Sequence, residues 1–203
     1  MDKILTETIK RRYNRISTIF DWMDRMIKNE WRMKTLSQVS GNVLEVGVGT
    51  GANLSFYPKG ITMTGIDFSP GMLRFAHKKA YELNLPVKLL EMDAQQMEFA
   101  DNSFDYVVAT CVYCSVPDPI AGLKEMRRVC KPGGKVLLLE HMRSDHPVLG
   151  WVMDRLNPIT VSMYGANINR RTIENIKKAG FIIVEEEKLM GSIMRRLTLS
   201  PNK

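Results

Sequence analysis

Three observations predict an α/β fold, a mostly parallel sheet with helices on both faces. From residue 42 onward, strand-like and helix-like patterns alternate. The first strand runs directly into a turn with glycine at every second position, Gly47-Val48-Gly49-Thr50-Gly51. The last two strand patterns are separated by only about six residues, too few for a parallel crossover, so an antiparallel hairpin is expected at one edge.

Residues 4–34 carry a helical pattern. Leu5, Ile9, Tyr13, Ile16, Phe20, Met23, Ile27 and Trp31 recur at spacings of three or four, while Lys10, Arg11, Arg15, Arg25, Lys28 and Arg32 point mostly the other way. Ser17-Thr18 or Asp21 would cap a second helix within the stretch. Two readings stand: a packed helix with a solvated basic face, or an amphipathic lid that also touches a membrane surface.

Strands are expected at 42–46, 62–67, 87–92, 104–110 and 135–140. A short helix is expected around Asn53–Phe56, ended by Pro58 and Gly60. Ser69-Pro70 gives an N-cap and a first-turn proline for a helix to about Leu83. Asp118-Pro119 opens the next, with Leu123, Met126 and Val129 inward and Lys131-Pro132-Gly133-Gly134 as its stop. A helix from Thr172 ends at Gly180, followed by strands at 181–186 and 193–199. Residues 142–169 break the alternation. They hold Trp151, Met153, Leu156, Met163 and Tyr164, interrupted by Pro147 and Pro158, and read as a substrate lid or as extra core.

The 203 residues, 44% hydrophobic and 25% charged, suffice for one globular domain. No apolar run approaches the roughly 18 residues a membrane span needs, and the start has no signal-peptide core, so a cytoplasmic protein is expected. The net charge of +7 calls for an anionic partner, substrate or surface, or serves solubility alone. No nucleic-acid-binding signature is present, and nucleic acid is not expected as a partner. Three cysteines give no disulfide framework.

Gly47-Val48-Gly49-Thr50-Gly51-Ala52 satisfies a dinucleotide fingerprint, and Asp67 lies about twenty residues on, where a ribose-binding acid belongs. Glu45 argues against it, because a carboxylate two residues before the first glycine would repel pyrophosphate. No second domain and no Tyr-x-x-x-Lys pair supports a reductase. Glu45, Asp67 and Asp93 instead end or follow the first three strands on one rim. They match, in sequence, an ammonium, a ribose diol and an adenine amino group. S-adenosylmethionine carries all three and no phosphate.

This arrangement resembles the class I S-adenosylmethionine-dependent methyltransferases over residues 35–200. The resemblance rests on 45–51, on Gly65-Ile66-Asp67-Phe68-Ser69-Pro70-Gly71-Met72, and on Met92-Asp93-Ala94. Asn102-Ser103-Phe104-Asp105-Tyr106-Val107-Val108 and Arg128-Val129-Cys130-Lys131-Pro132-Gly133-Gly134 extend it. It implies a Rossmann-like sheet of order 3-2-1-4-5-7-6 with strand 7 antiparallel. It implies a cofactor site in which Glu45, Gly47 and Gly49 hold the methionine end and Asp67 takes the ribose. Phe68 and Met72 would line the adenine, Asp93 and the Ala94 backbone would bond it, and Cys111 would pass under the sulfonium.

The parts are then a helical lid at 1–34, a cofactor-binding core at 35–141, an inserted substrate lid at 142–169, and a C-terminal helix and hairpin at 170–203. The first of these resembles, through Arg12-Tyr13-Asn14-Arg15 and Phe20-Asp21, the helix that folds over the cofactor in quinone-biosynthesis C-methyltransferases and bacterial phospholipid N-methyltransferases. Tyr13 and Phe20 would contact the cofactor, and Phe20 stands where those enzymes carry tyrosine. Val112–Val116, Leu139-Glu140-His141 and Asn169-Arg170-Arg171-Thr172 also resemble membrane-associated alkyl-thiol methyltransferases.

The expected acceptor is a small amphiphile or lipid: a phospholipid amine first, a quinol ring carbon next, a thiol third. A cofactor-binding scaffold is the non-enzyme reading. Peripheral contact with anionic membrane would run through the basic N-terminal helices. Thr110-Cys111-Val112-Tyr113-Cys114 replaces the acidic or Asn-Pro-Pro motif of many amide and amine N-methyltransferases. His141, at a strand end facing the methyl group, is the candidate base, or else a histidine bonded within the lid. Tyr13 could assist it by orienting a head group. Cys111 and Cys114 read as small buried residues, with no metal site expected.

Overall fold

The computed structural model describes residues 27–203 and Arg11, except for the side chain of Tyr164. Tyr13, Phe20 and the proposed helix break at Ser17-Thr18 or Asp21 lie outside the described residues. Within them the chain forms α1 (Asn29–Leu36), β1 (Asn42–Val46), a single 3-10 turn (Leu54–Phe56), β2 (Thr62–Asp67), α2 (Pro70–Glu82), β3 (Val87–Glu91) and β4 (Phe104–Thr110). It continues with α3 (Pro119–Val129), β5 (Cys130–His141), α4 (Pro147–Tyr164), α5 (Thr172–Lys178), β6 (Ile182–Met190) and β7 (Met194–Ser200).

One seven-stranded sheet has the order β3-β2-β1-β4-β5-β7-β6. Every pairing is parallel except those of β7, which is antiparallel to both β5 and β6. Alternation along β1 explains the layering. Leu44 and Val46 face the cluster shared with Leu123, Met126 and Ile176 of α3 and α5, and Val43 faces Leu36, Val39 and Leu137 on the α1 side. Glu45 has the parity of Val43, so its carboxylate emerges on the α1 side of the sheet's carboxyl rim.

The helix starts follow their caps. Ser69 Oγ accepts from the Met72 amide at 3.2 Å, and Asp118 Oδ1 accepts from Ile120 and Ala121 at 3.0 Å each, with proline in the first turn of both helices. His77 is exposed on α2, as its flanking lysines suggest.

Four expectations need correction. The expected helix at Asn53–Phe56 is only a 3-10 turn. β5 begins at Cys130, not Lys135: Cys130 pairs with Phe104 and Lys135 with Tyr106, so 131–134 bulge out of the ladder instead of preceding it. Gly134 permits this, since a Cβ there would meet the Asp105 carbonyl at 2.7 Å. Pro158 does not break the insertion, which is one 18-residue helix ended by Gly165 at φ 75°. A proline there leaves the Asp154 carbonyl without its helical donor, on a part of α4 that is largely solvent-exposed. The hairpin is tighter than six residues, because β6 runs on to Met190. Arg195 and Arg196, almost fully buried on β7, draw that extension by binding Glu186 on one face and Glu185 and Glu187 on the other.

Candidate active site

The glycine turn does what its composition requires. Gly47 and Gly49 have φ of 70° and 57°, conformations open to glycine at no steric cost. A Cβ on Gly47 would lie 2.4 Å from Val112, so the turn packs directly under the segment that follows β4. A cleft of about 910 Å³ opens between them, over the carboxyl ends of β1, β2 and β4.

Nine sequence-predicted residues line this one cleft: Glu45, Gly47, Gly49, Asp67, Phe68, Met72, Asp93, Ala94 and Cys111. His141, which sits half-buried at the end of β5, is not among the lining residues. Burial lowers its pKa, which keeps the imidazole neutral near pH 7.

Each of the three rim carboxylates is held by an amide. Asn53 Nδ2 donates to Glu45 Oε1 at 2.7 Å and to Thr110 Oγ1 at 3.0 Å. Arg32, from α1, donates to the Asn53 side-chain oxygen, completing a buried Arg32–Asn53–Glu45 chain. Asp67 receives the Gly49 amide on Oδ2 at 3.0 Å and the Ser69 amide on Oδ1 at 2.9 Å. Desolvation nevertheless raises its pKa to about 6, against the lowering effect of those two donors. Asp93 is gripped through both oxygens by Gln95 Nε2 at 3.0 and 3.1 Å, and Gln95 Oε1 accepts from the Asp118 amide at the start of α3.

Carboxylates oriented in this way can accept from N–H and O–H groups of a ligand in the cleft. The order of these acceptors along the rim, and the Cβ-free positions Gly47 and Gly49 on the turn beneath them, fit S-adenosylmethionine.

Sequence reasoning missed Arg32, Asn53, Gln95 and Glu140. Arg32 falls by its spacing on the outward basic face, open to water or to a membrane surface, yet it is 3% exposed and lines the cleft. Nothing in the periodicity distinguishes it from Lys28, which stays outside. Asn53 and Gln95 serve carboxylates eight and two residues away, a signal visible only once those acids are given a purpose.

Glu140 is fully buried on the last turn of β5. Its Oε1 accepts from the amides of Val112 and Tyr113 at 2.9 and 3.3 Å, fixing the segment that covers Gly47. Burial raises its pKa to about 7, opposed by those two amides. The Cys111 thiol is pushed well up by burial and by Glu140, and that of Cys114 to about 12 by the same causes, so both stay protonated at neutral pH.

A seven-stranded sheet of this order, with an acid-lined cleft over its glycine turn, defines an S-adenosylmethionine-dependent methyltransferase. The comparisons agree. A methyltransferase-domain family model matches residues 44–138. The chain is 41% identical over 144 residues to a phosphatidylethanolamine N-methyltransferase of Cereibacter sphaeroides, covering 68% of this chain and 70% of that one. It is 34% identical to a thiol S-methyltransferase of Mus musculus, covering 77% and 67%. It is 36% identical to a demethylmenaquinone methyltransferase of Staphylococcus aureus, covering 70% and 61%. A solved phosphoethanolamine N-methyltransferase of Haemonchus contortus, in complex with S-adenosyl-L-methionine, superposes with a TM-score of 0.64 at 25% identity, covering 79% of this chain and 39% of that one. The chain belongs to the class I S-adenosylmethionine-dependent methyltransferases, and S-adenosylmethionine is its cofactor.

Proposed function

We propose that the protein methylates the amine of a phospholipid of the phosphatidylethanolamine type. One observation carries the lipid part of this reading. α4 is tied to the cleft wall through Asn167, whose backbone and side-chain nitrogens both donate to the Cys114 carbonyl, at 2.8 and 3.1 Å. Its outer surface carries Val148, Leu149, Trp151, Leu156, Ile159 and Met163, all exposed, with Arg155 stacked on Trp151 among them. Exposed apolar side chains gathered beside a cleft suit an amphiphilic acceptor better than a polar metabolite. The similarity to a phosphatidylethanolamine N-methyltransferase supports the amine. Similarities to thiol and demethylmenaquinone methyltransferases support the runners-up, a small thiol and a quinol ring carbon.

The cofactor supplies a methyl group on a cationic sulfur. The residues would act on it as follows. Glu45, with the Gly47–Gly49 turn, receives the amino-acid end. Asp67 accepts from both ribose hydroxyls, and Asp93 with the Ala94 backbone fixes the adenine against Phe68 and Met72. Val112, held by Glu140, would close the floor beneath the sulfur with Cys111, and Tyr13 and Phe20 would cover the cofactor from the N-terminal segment. Alignment supplies much of the acceleration in such a displacement. The acceptor amine would have to present a free lone pair to that methyl group, so one of its N–H protons would pass to a base of this chain.

His141, neutral through burial, is the proposed base. His141→Ala should lower turnover about 100-fold with cofactor affinity intact, and unchanged turnover would remove it from that role.

Peripheral attachment to anionic membrane belongs to the same proposal, through the basic N-terminal segment. No helix among the described residues is long and apolar enough to cross a membrane. Sedimentation with anionic vesicles tests this, and binding indifferent to salt and lipid charge would contradict it. The acceptor is tested by a labelled-methyl transfer screen across ethanolamine phospholipids, demethylated quinols and alkyl thiols. Label in the phospholipid is expected, and label confined to another class would replace the reading.

A further inference from the structure

A second cavity, of about 420 Å³, lies beyond the cofactor cleft. It is bounded by the segment after β5, by the start of α5, and by Arg195 of β7. Four arginines line it, and three already have carboxylates. Arg143 binds Asp154 at 2.9 Å, Arg171 binds Glu174 at 3.1 Å, and Arg195 binds Glu186 at 2.5 Å and also Asp145. The two acids on the cavity wall, Asp145 and Glu174, are consumed by these pairs, and Asp145 also takes Lys188 at 2.8 Å.

Arg170 is the exception. It is half-buried, and one terminal nitrogen donates to the Val116 carbonyl at 2.7 Å. Its Nε is buried with no hydrogen-bond partner, and no carboxylate lies within ion-pair distance of it among the described residues. Asp118, an acid whose charge reaches it, is engaged in capping α3. A desolvated guanidinium with an idle donor is costly to keep, and its planar fork matches a phosphate. Because Val116 also lines the cofactor cleft, Arg170 stands on the wall between the two spaces.

We propose that this cavity is an anion seat, centred on Arg170, that takes the phosphate group of the acceptor. The proposal rests on the phospholipid reading for the identity of its natural ligand. Its chemistry, a phosphate monoester or diester, does not depend on that reading.

The test uses the full chain and two probes, inorganic phosphate and short-chain phosphatidylethanolamine, with binding followed by calorimetry. Arg170→Gln preserves a donor for the Val116 carbonyl while removing the charge, and Arg170→Lys restores the charge without the fork. Wild type should bind both probes. Arg170→Gln should weaken both by about tenfold or more, and Arg170→Lys should recover part of the loss. Cofactor affinity should hold within about twofold, and the Michaelis constant for the phospholipid should rise with little change in turnover number.

Equal binding of both probes by wild type and Arg170→Gln would overturn the proposal. So would a parallel loss of cofactor affinity and melting temperature, which would make Arg170 a brace for Val116 alone. Phosphate binding that depends on Arg170, in a protein that does not methylate phosphatidylethanolamine, would support the seat and remove the phospholipid reading. Methylation of the phospholipid with equal Michaelis constants in the two proteins would do the reverse.

Discussion

The two halves of the sheet's carboxyl rim solve opposite electrostatic problems. Along β1, β2 and β3 the charges are carboxylates, Glu45, Asp67 and Asp93, each steadied by neutral amides. From β5 to β7, apart from the buried Glu140, they are arginines, Arg143, Arg195 and Arg196, each neutralised by acids. An amide orients a carboxylate without cancelling its charge, which leaves the first half able to bind a cationic, hydroxyl-rich ligand. An acid cancels an arginine, which turns most of the second half into scaffold. Among the arginines of the second half, Arg170 has no acid within ion-pair distance among the described residues, and the proposed anion seat is centred on it.

The largest expected effect breaks the first half. Asp67→Ala would remove the two charge-assisted bonds proposed to the ribose and should weaken cofactor binding about 100-fold or more by calorimetry. Its melting temperature should change little, because the ionisation cost of an acid whose pKa is raised by folding is relieved while the Gly49 and Ser69 amides lose their acceptor. Ionisation of such a group costs stability, absent below the unfolded pKa near 4 and complete above about 6. Arg195→Met does the opposite to the second half. With its partner acids partly exposed, a loss of about 2 kcal/mol in denaturant unfolding is expected, with cofactor affinity unchanged.

Proton linkage sharpens the contrast further. If Asp67 takes the ribose as proposed, its hydroxyls bond the ionised carboxylate more strongly than the protonated acid, so cofactor affinity should fall as pH drops through about 6, by up to about tenfold near pH 5. A flat profile would contradict the ribose assignment. The smallest effect tests the support around Asp93. Gln95→Leu leaves the acid in place but frees its orientation, and an affinity loss of about tenfold or less is expected.

The first half of the rim was legible in the sequence and the second was not. Glu45, Asp67 and Asp93 stand at fixed offsets from strand ends, and the glycine turn has few other physical uses, so local order was enough. Boundaries such as 42–46, 62–67 and 104–110 were legible because buried β-branched runs end abruptly at polar turns. Arg32 was not, since a basic residue on a helical face looks the same whether that face meets water or Asn53. The continuation of β6 to Met190 was hidden too: Glu185-Glu186-Glu187 reads as a solvated run until Arg195 and Arg196 lie across from it. Pro158 misled because a local rule, that proline ends a helix, yields where the carbonyl it leaves unbonded can be hydrated.

A crystal structure with S-adenosylhomocysteine tests the division of the rim most directly. The account predicts both ribose hydroxyls on Asp67, the adenine amino group on Asp93, and the sulfur over the Cys111–Val112 floor. An adenosine lying away from Asp67, or turned so that its amino group faces Glu45, would contradict it.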